Sequence, residues 1–133
     1  QHLADTLIPI YTCPSSPDGM LPYTNYMVVV GPGTIFPDEH GIAFRDITDG
    51  TSNTILVVEV EGQQVPWMEP TDLSLDQMQM AINSGLTDPG SNHPGGVMVS
   101  LADGSVRFIA ASIDPQLLRN LITRNDGQRI DEF

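Results

Sequence analysis

Lysine is absent from these 133 residues, and five arginines stand against seventeen aspartates and glutamates, a formal net charge of −12. Phosphate backbones are held by clustered Arg or Lys, so the composition excludes a nucleic-acid-binding role and disfavours anionic membrane surfaces. The same surface can draw cations such as Ca²⁺, although a solvated acidic exterior on a secreted protein is the plainer explanation. Cysteine occurs once, at Cys13, which excludes an internal disulfide. No apolar run approaches the ~20 residues needed to cross a bilayer. No n-region, h-region and cleavage site of a signal peptide is visible either.

Catalytic signatures are equally scarce. His2, His40 and His93 lie far apart in the sequence, and neither Gly-x-Ser-x-Gly nor His-Glu-x-x-His occurs. Gly31-Pro32-Gly33 is followed by neither a helical pattern nor a lysine, so a phosphate loop is unsupported. Cys13 has no histidine or cation beside it in sequence and is followed by Pro14. That argues against a catalytic thiolate and leaves a small buried hydrophobe as the plain alternative. The expectation is a non-enzyme that requires no cofactor.

What the chain does contain is a set of short elements in one domain, residues 1–133, with no internal repeat. Twelve glycines and eleven prolines punctuate it, which favours a sheet-rich domain over a helical bundle. Residues 25–30 and 54–61 read as strands. In the second, Leu56, Val58 and Val60 form one apolar face while Ile55 and Val57 partly cover the other, which places it centrally in a sheet. Residues 74–82 carry helical spacing at Leu75, Met78 and Ile82, with Ser74 as N-cap. Asp114 caps a closing helix with Pro115 at its first position, and Leu117, Leu118, Leu121 and Ile122 face the sheet.

The most informative stretch is residues 92–109, which reads as a β-hairpin around Asp103-Gly104. That dipeptide accepts the positive φ angles of a two-residue type I′ turn. The register then opposes Val97 to Ala110, Val99 to Phe108 and Leu101 to Val106 on one apolar face. His93 lies about ten residues before Asp103, roughly 30 Å of extended chain, so the two cannot share an ion. The register instead directs His93 toward residues 112–114, where Asp114 is the expected partner. Asp103 and Gly104 are on this reading turn residues.

Residues 49–53, Asp49-Gly50-Thr51-Ser52-Asn53, allow two readings. Asp49 and Asn53 with exposed carbonyls suit Ca²⁺, a hard cation that takes six to eight oxygens. The run lacks the alternating acids of an EF-hand loop, and Asp49-Gly50 with Asn53 also suits a plain structural turn. Trp67 and Tyr26 are the aromatic residues around which an apolar ligand cleft could form.

His93 followed after nine residues by Asp103-Gly104 resembles the H-X9-DG signature of a bacterial family of prepilin-like proteins, catalogued as DUF1559. Three further stretches fit in order: Tyr11-Thr12-Cys13-Pro14-Ser15-Ser16-Pro17, the run from Ile47-Thr48-Asp49-Gly50-Thr51-Ser52-Asn53 to Glu59, and Ile113-Asp114 through Leu121-Ile122-Thr123-Arg124. Asp126-Gly127 stands where that family often has Gly-Gly. The resemblance implies an α+β, pilin- or pseudopilin-like domain, an antiparallel sheet with its carboxy-terminal helix packed on it. It implies a structural, outward-facing, extracytoplasmic role in bacterial envelope assembly or secretion. An amino-terminal pilin-type helix, absent from this chain, would anchor it in the membrane or pack with other pilin-like subunits. It also implies that Cys13 pairs with a second cysteine near that helix. Two rival functions are a solute- or glycan-binding module, suggested by the family's other label as a solute-binding group, and a calcium-dependent adhesion module.

Overall fold

The computed structural model describes residues 2–128, 130 and 133. Four strands form an antiparallel sheet: β1 (Tyr26–Met27), β3 (Ile55–Glu59), β5 (Gly96–Leu101) and β6 (Val106–Ala110), in the order β1-β3-β5-β6. β2 (Val29–Val30) and β4 (Leu73–Ser74) pair in parallel as a separate two-stranded ribbon. The one α-helix among the described residues, α1 (Pro115–Ile122), packs on the sheet, giving an α+β domain. Short 3₁₀ turns occur at Leu3–Asp5, Pro9–Tyr11 and Phe44–Asp46.

The helix forms where local signals agree. Asp114 Oδ1 accepts the amides of Gln116 and Leu117 at 2.9 and 3.1 Å, and Pro115 occupies the first turn, where its missing N–H costs nothing. Leu118, Leu121 and Ile122 are buried with Val58 of β3, Val97, Val99 and Leu101 of β5, and Ile109 of β6. Each such side chain contributes about 1.5–3 kcal/mol of transfer free energy, so this layer supplies most of what holds α1 in place. β3 is central, as expected from its two apolar faces.

The hairpin register differs from expectation by one residue. Val97 opposes Ile109, Met98 opposes Phe108, Val99 opposes Arg107 and Ser100 opposes Val106. Val99 and Phe108 therefore lie on opposite faces, and the pairings of Val99 with Phe108 and Leu101 with Val106 are overturned. The cause is the turn. Leu101 accepts the Gly104 amide at 2.9 Å and donates to the Ser105 carbonyl at 2.8 Å. Residues 102–104 thus form a three-residue loop, in which only Gly104 (φ +86°) takes positive φ. Asp103 stays at negative φ, so the turn is not type I′. The slip sends Val106 and Phe108 outward, 61% and 46% exposed, while Arg107 reaches over the Phe133 ring and donates to its carbonyl at 2.7 Å.

Three other expectations change. The strand at residues 25–30 is divided between β1 and β2, because the Val28 amide turns to Asp72 Oδ1 at 3.1 Å instead of a neighbouring strand. A register shift between Ile55 and Val57 puts Ile55, not Leu56, into the core with Val58 and Val60. Residues 74–82 form no helix: Ser74 ends β4 instead of capping one, and its hydroxyl bonds to Asp76. The buried Asp88 carboxylate captures the amides of Gln79 and Ala81 at 3.1 and 3.3 Å, and Met80 adopts φ +57°. A carboxylate from outside the segment has outcompeted the helical ladder.

Candidate functional site

Glu59 is the last residue of β3, and strand alternation turns it to the face opposite Val58. It is nonetheless only 3% exposed, because Cys13-Pro14-Ser15 and His93 cover that face. Its Oε2 accepts the Met98 amide at 2.6 Å, so the carboxylate substitutes for a ladder carbonyl. Its Oε1 lies 3.5 Å from His93 Nε2.

Cys13 is held over the same spot by the polar side chains beneath it. Asn25 Oδ1 accepts the Cys13 amide at 2.8 Å, while Asn25 Nδ2 donates to the Val60 carbonyl at 3.2 Å. The Ser16 hydroxyl donates to Glu61 at 3.0 Å, closing the turn that follows. Cys13 is 6% exposed, and its Sγ lies 3.3 Å from His93 Nε2.

His93 arrives from the lead-in to β5. Asn92 Nδ2 donates to the Ser15 carbonyl at 2.6 Å, which ties this lead-in to the Cys13 segment. Gly95 (φ +85°) bends the chain just before β5, so His93 leaves the line of the strand and covers the end of β3. That bend is why His93 does not reach Asp114, the partner expected from the sequence; Asp114 is occupied capping α1. Gly96 fixes the path: a Cβ there would lie 2.1 Å from the Ile109 carbonyl oxygen, a clash only glycine avoids.

Sulfur, imidazole and carboxylate donors of Cys13, His93 and Glu59 lie within 4.8 Å of one another. They line a cavity of about 530 Å³ with Tyr26, Met98 and Val106. Burial, and then the nearby Cys13 and Glu59 groups, push the Tyr26 hydroxyl above its ordinary value. Glu59 closes the motif run that begins at Ile47, but the sequence alone gives it no site role. The available signal was an acid alternating with buried valines at the end of a central strand.

The other motif residues act on the backbone. Asp49 accepts the amides of Asp126 and Gly127, both at 3.0 Å, and its own amide donates to the Arg124 carbonyl at 3.0 Å. Gly50 takes φ +98°, and Asn53 Nδ2 donates to the Asp49 carbonyl at 3.3 Å. Asp103 Oδ1 accepts the Ser105 hydroxyl and amide at 2.6 and 2.9 Å, bonds that hold its carboxyl below the ordinary value. The Asp103 amide donates to the Thr51 carbonyl at 3.0 Å, so this turn and residues 49–53 adjoin. Trp67 and Tyr26 line a separate cavity of about 300 Å³, with Trp67 stacked on Tyr11 at 5.9 Å and donating to the Thr6 carbonyl.

A family model described as "Protein of unknown function (DUF1559)" matches residues 1–74 and 61–116. No curated protein and no solved structure matches the chain.

Proposed function

The chain belongs to the DUF1559 family, and from that premise we propose that it is a non-catalytic, outward-facing structural domain of a prepilin-like envelope protein. The observation that carries the reading is how the motif aspartates are used. Asp49, Asp103 and Asp114 each hold backbone amides, fastening the tail, the hairpin turn and the start of α1. Carboxylates committed to backbone donors stabilise a scaffold and are poorly placed for acid–base chemistry. In this reading a pilin-type helix of the same protein provides the membrane anchor and the contacts with other pilin-like subunits, and the acidic domain faces the extracytoplasmic side. Van der Waals packing between such helices would drive assembly, while the net charge of −12 keeps the globular parts apart.

The test is the parent gene together with protease treatment of intact cells. A hydrophobic pilin-type helix encoded upstream, and cleavage of the domain from outside, are the expected results. A cleavable signal peptide with no such helix would overturn the proposal. A second reading, solute or glycan binding, is favoured by the aromatic cavity at Trp67, Tyr11 and Tyr26. Saturable binding of an oligosaccharide that Trp67→Ala abolishes would shift the weight to it.

A further inference from the structure

We propose that Cys13, His93 and Glu59 bind one divalent transition ion of the zinc class, in a site of three protein ligands with water as the fourth. Ligands held at about 2.0–2.3 Å from Zn²⁺ in a tetrahedron lie about 3.3–3.6 Å from each other. Sγ of Cys13 and Nε2 of His93 are 3.3 Å apart, and Nε2 and Oε1 of Glu59 are 3.5 Å apart. Two donor pairs thus already have the spacing that an ion would impose. Among the described residues this is the single group of three such donors so close together.

Charge supports the same conclusion. A carboxylate 3% exposed is costly unless a cation or several donors compensate it. Among the described residues Glu59 has only the Met98 amide and the His93 ring. No lysine exists in the chain to neutralise it. A divalent ion would balance Glu59 together with a Cys13 thiolate, the thiol proton passing to solvent. The Met98 amide on Oε2 fixes the carboxylate so that Oε1 faces the other two donors, the kind of outer support that metal ligands require. The His93 side chain is 35% exposed, which leaves a path for the ion. The adjoining cavity leaves room for the water.

Donor type selects the metal. Thiolate and imidazole favour Zn²⁺, Co²⁺ or Cu over Mg²⁺ and Ca²⁺, which take oxygen ligands. Bound there, the ion would clip together three chain segments remote in sequence: the Cys13 turn, the end of β3 and the lead-in to β5. This is a stabilising role, compatible with a scaffold but independent of the envelope assignment.

The experiment is Co²⁺ titration of the protein under reducing conditions, followed by absorption spectroscopy and displacement with Zn²⁺. The expected result is one ion per chain, with a thiolate-to-cobalt charge-transfer band and the visible bands of a four-coordinate ion. His93→Gln, at a partly exposed position, should weaken Zn²⁺ at least about tenfold against a chromophoric chelator. Glu59→Gln, which keeps an acceptor for Met98, should weaken it similarly. Cys13→Ser should remove the charge-transfer band. Should Cys13→Ser not fold, protection of the wild-type thiol from alkylation by Zn²⁺ replaces it. Absence of the band at millimolar Co²⁺, unchanged affinity in His93→Gln, or an alkylation rate indifferent to Zn²⁺ would each reduce the trio to a hydrogen-bonded packing contact. A disulfide at Cys13 in protein isolated without reductant would also overturn the proposal, since that sulfur could not ligate.

Discussion

The two ends of the central strand pair are built from the same motifs and finished in opposite ways. β3 and β5 run antiparallel, so residues 47–59 and 93–104 each send one terminus to either end of the sheet. At one end Asp49 and Asp103 lie in adjoining turns, and their carboxylates accept backbone amides. At the other end Glu59 and His93 meet beneath Cys13 and direct side-chain donors at one another. At the first end the Asp49 and Asp103 carboxylates are satisfied by backbone amides of the chain. The second leaves a buried carboxylate compensated by one amide and one imidazole. The difference teaches that a motif's two ends need not be finished alike: one fastens backbone amides, the other gathers side-chain donors.

The shared foundation gives the largest expected effect. Leu118 is fully buried in the layer beneath both ends. Leu118→Ala should cost about 2–5 kcal/mol in urea unfolding, through lost burial and the cavity left behind. A cost under about 1 kcal/mol would mean that α1 is not essential to the sheet.

Next comes the fastened end. Asp49→Ala removes an acceptor from two backbone amides and should cost about 1.5–3 kcal/mol, since hydrogen bonds to a charged group are the stronger kind. Faster proteolysis near residues 124–128 should accompany it. Both carboxylate oxygens are already engaged, so millimolar Ca²⁺ should raise the melting temperature no more than NaCl of equal ionic strength. A larger rise that Asp49→Ala abolishes would restore the calcium reading for Asp49 and Asn53.

A smaller effect is expected at the turn itself. Gly104→Val forces a β-branched residue to φ near +86° and should cost about 1–2 kcal/mol. A native-like melting temperature would show that the loop can rearrange to avoid positive φ.

The smallest effect is that of pH on Asp103. Its carboxyl titrates lower in the folded state, held by the Ser105 hydroxyl and then the Ser105 amide. Its contribution is therefore complete above the ordinary carboxylate range near pH 4 and is lost as pH falls below it. Ser105→Ala should lower stability slightly at pH 7 and flatten this acid-side dependence, leaving stability well below pH 4 nearly unchanged, and the effect is small because the site is fully exposed. Identical acid profiles for the two proteins would contradict the assignment.

Legibility followed the range of the interactions. Asp114-Pro115 announces α1, and the valines of β3 and β5 announce central strands, because caps and alternation act within a few residues. The register was missed because Asp103-Gly104 fits both a two-residue turn and a three-residue loop with glycine last, and only pairing across the sheet decides between them. The helix expected at residues 74–82 was lost to Asp88, which lies outside the window that periodicity samples. The site's members stand in the motif segments, but their convergence was illegible for the same reason. Cys13, Glu59 and His93 have no ligand spacing in sequence, and only the antiparallel pairing and the bend at Gly95 bring them together.

The contrast between the two ends is tested most directly by the Zn²⁺-induced change in melting temperature of three proteins: wild type, Asp49→Asn and His93→Gln. The account predicts a rise in wild type that survives in Asp49→Asn, even from a lower starting temperature, and vanishes in His93→Gln. A rise retained in His93→Gln, or no rise in wild type, would contradict it.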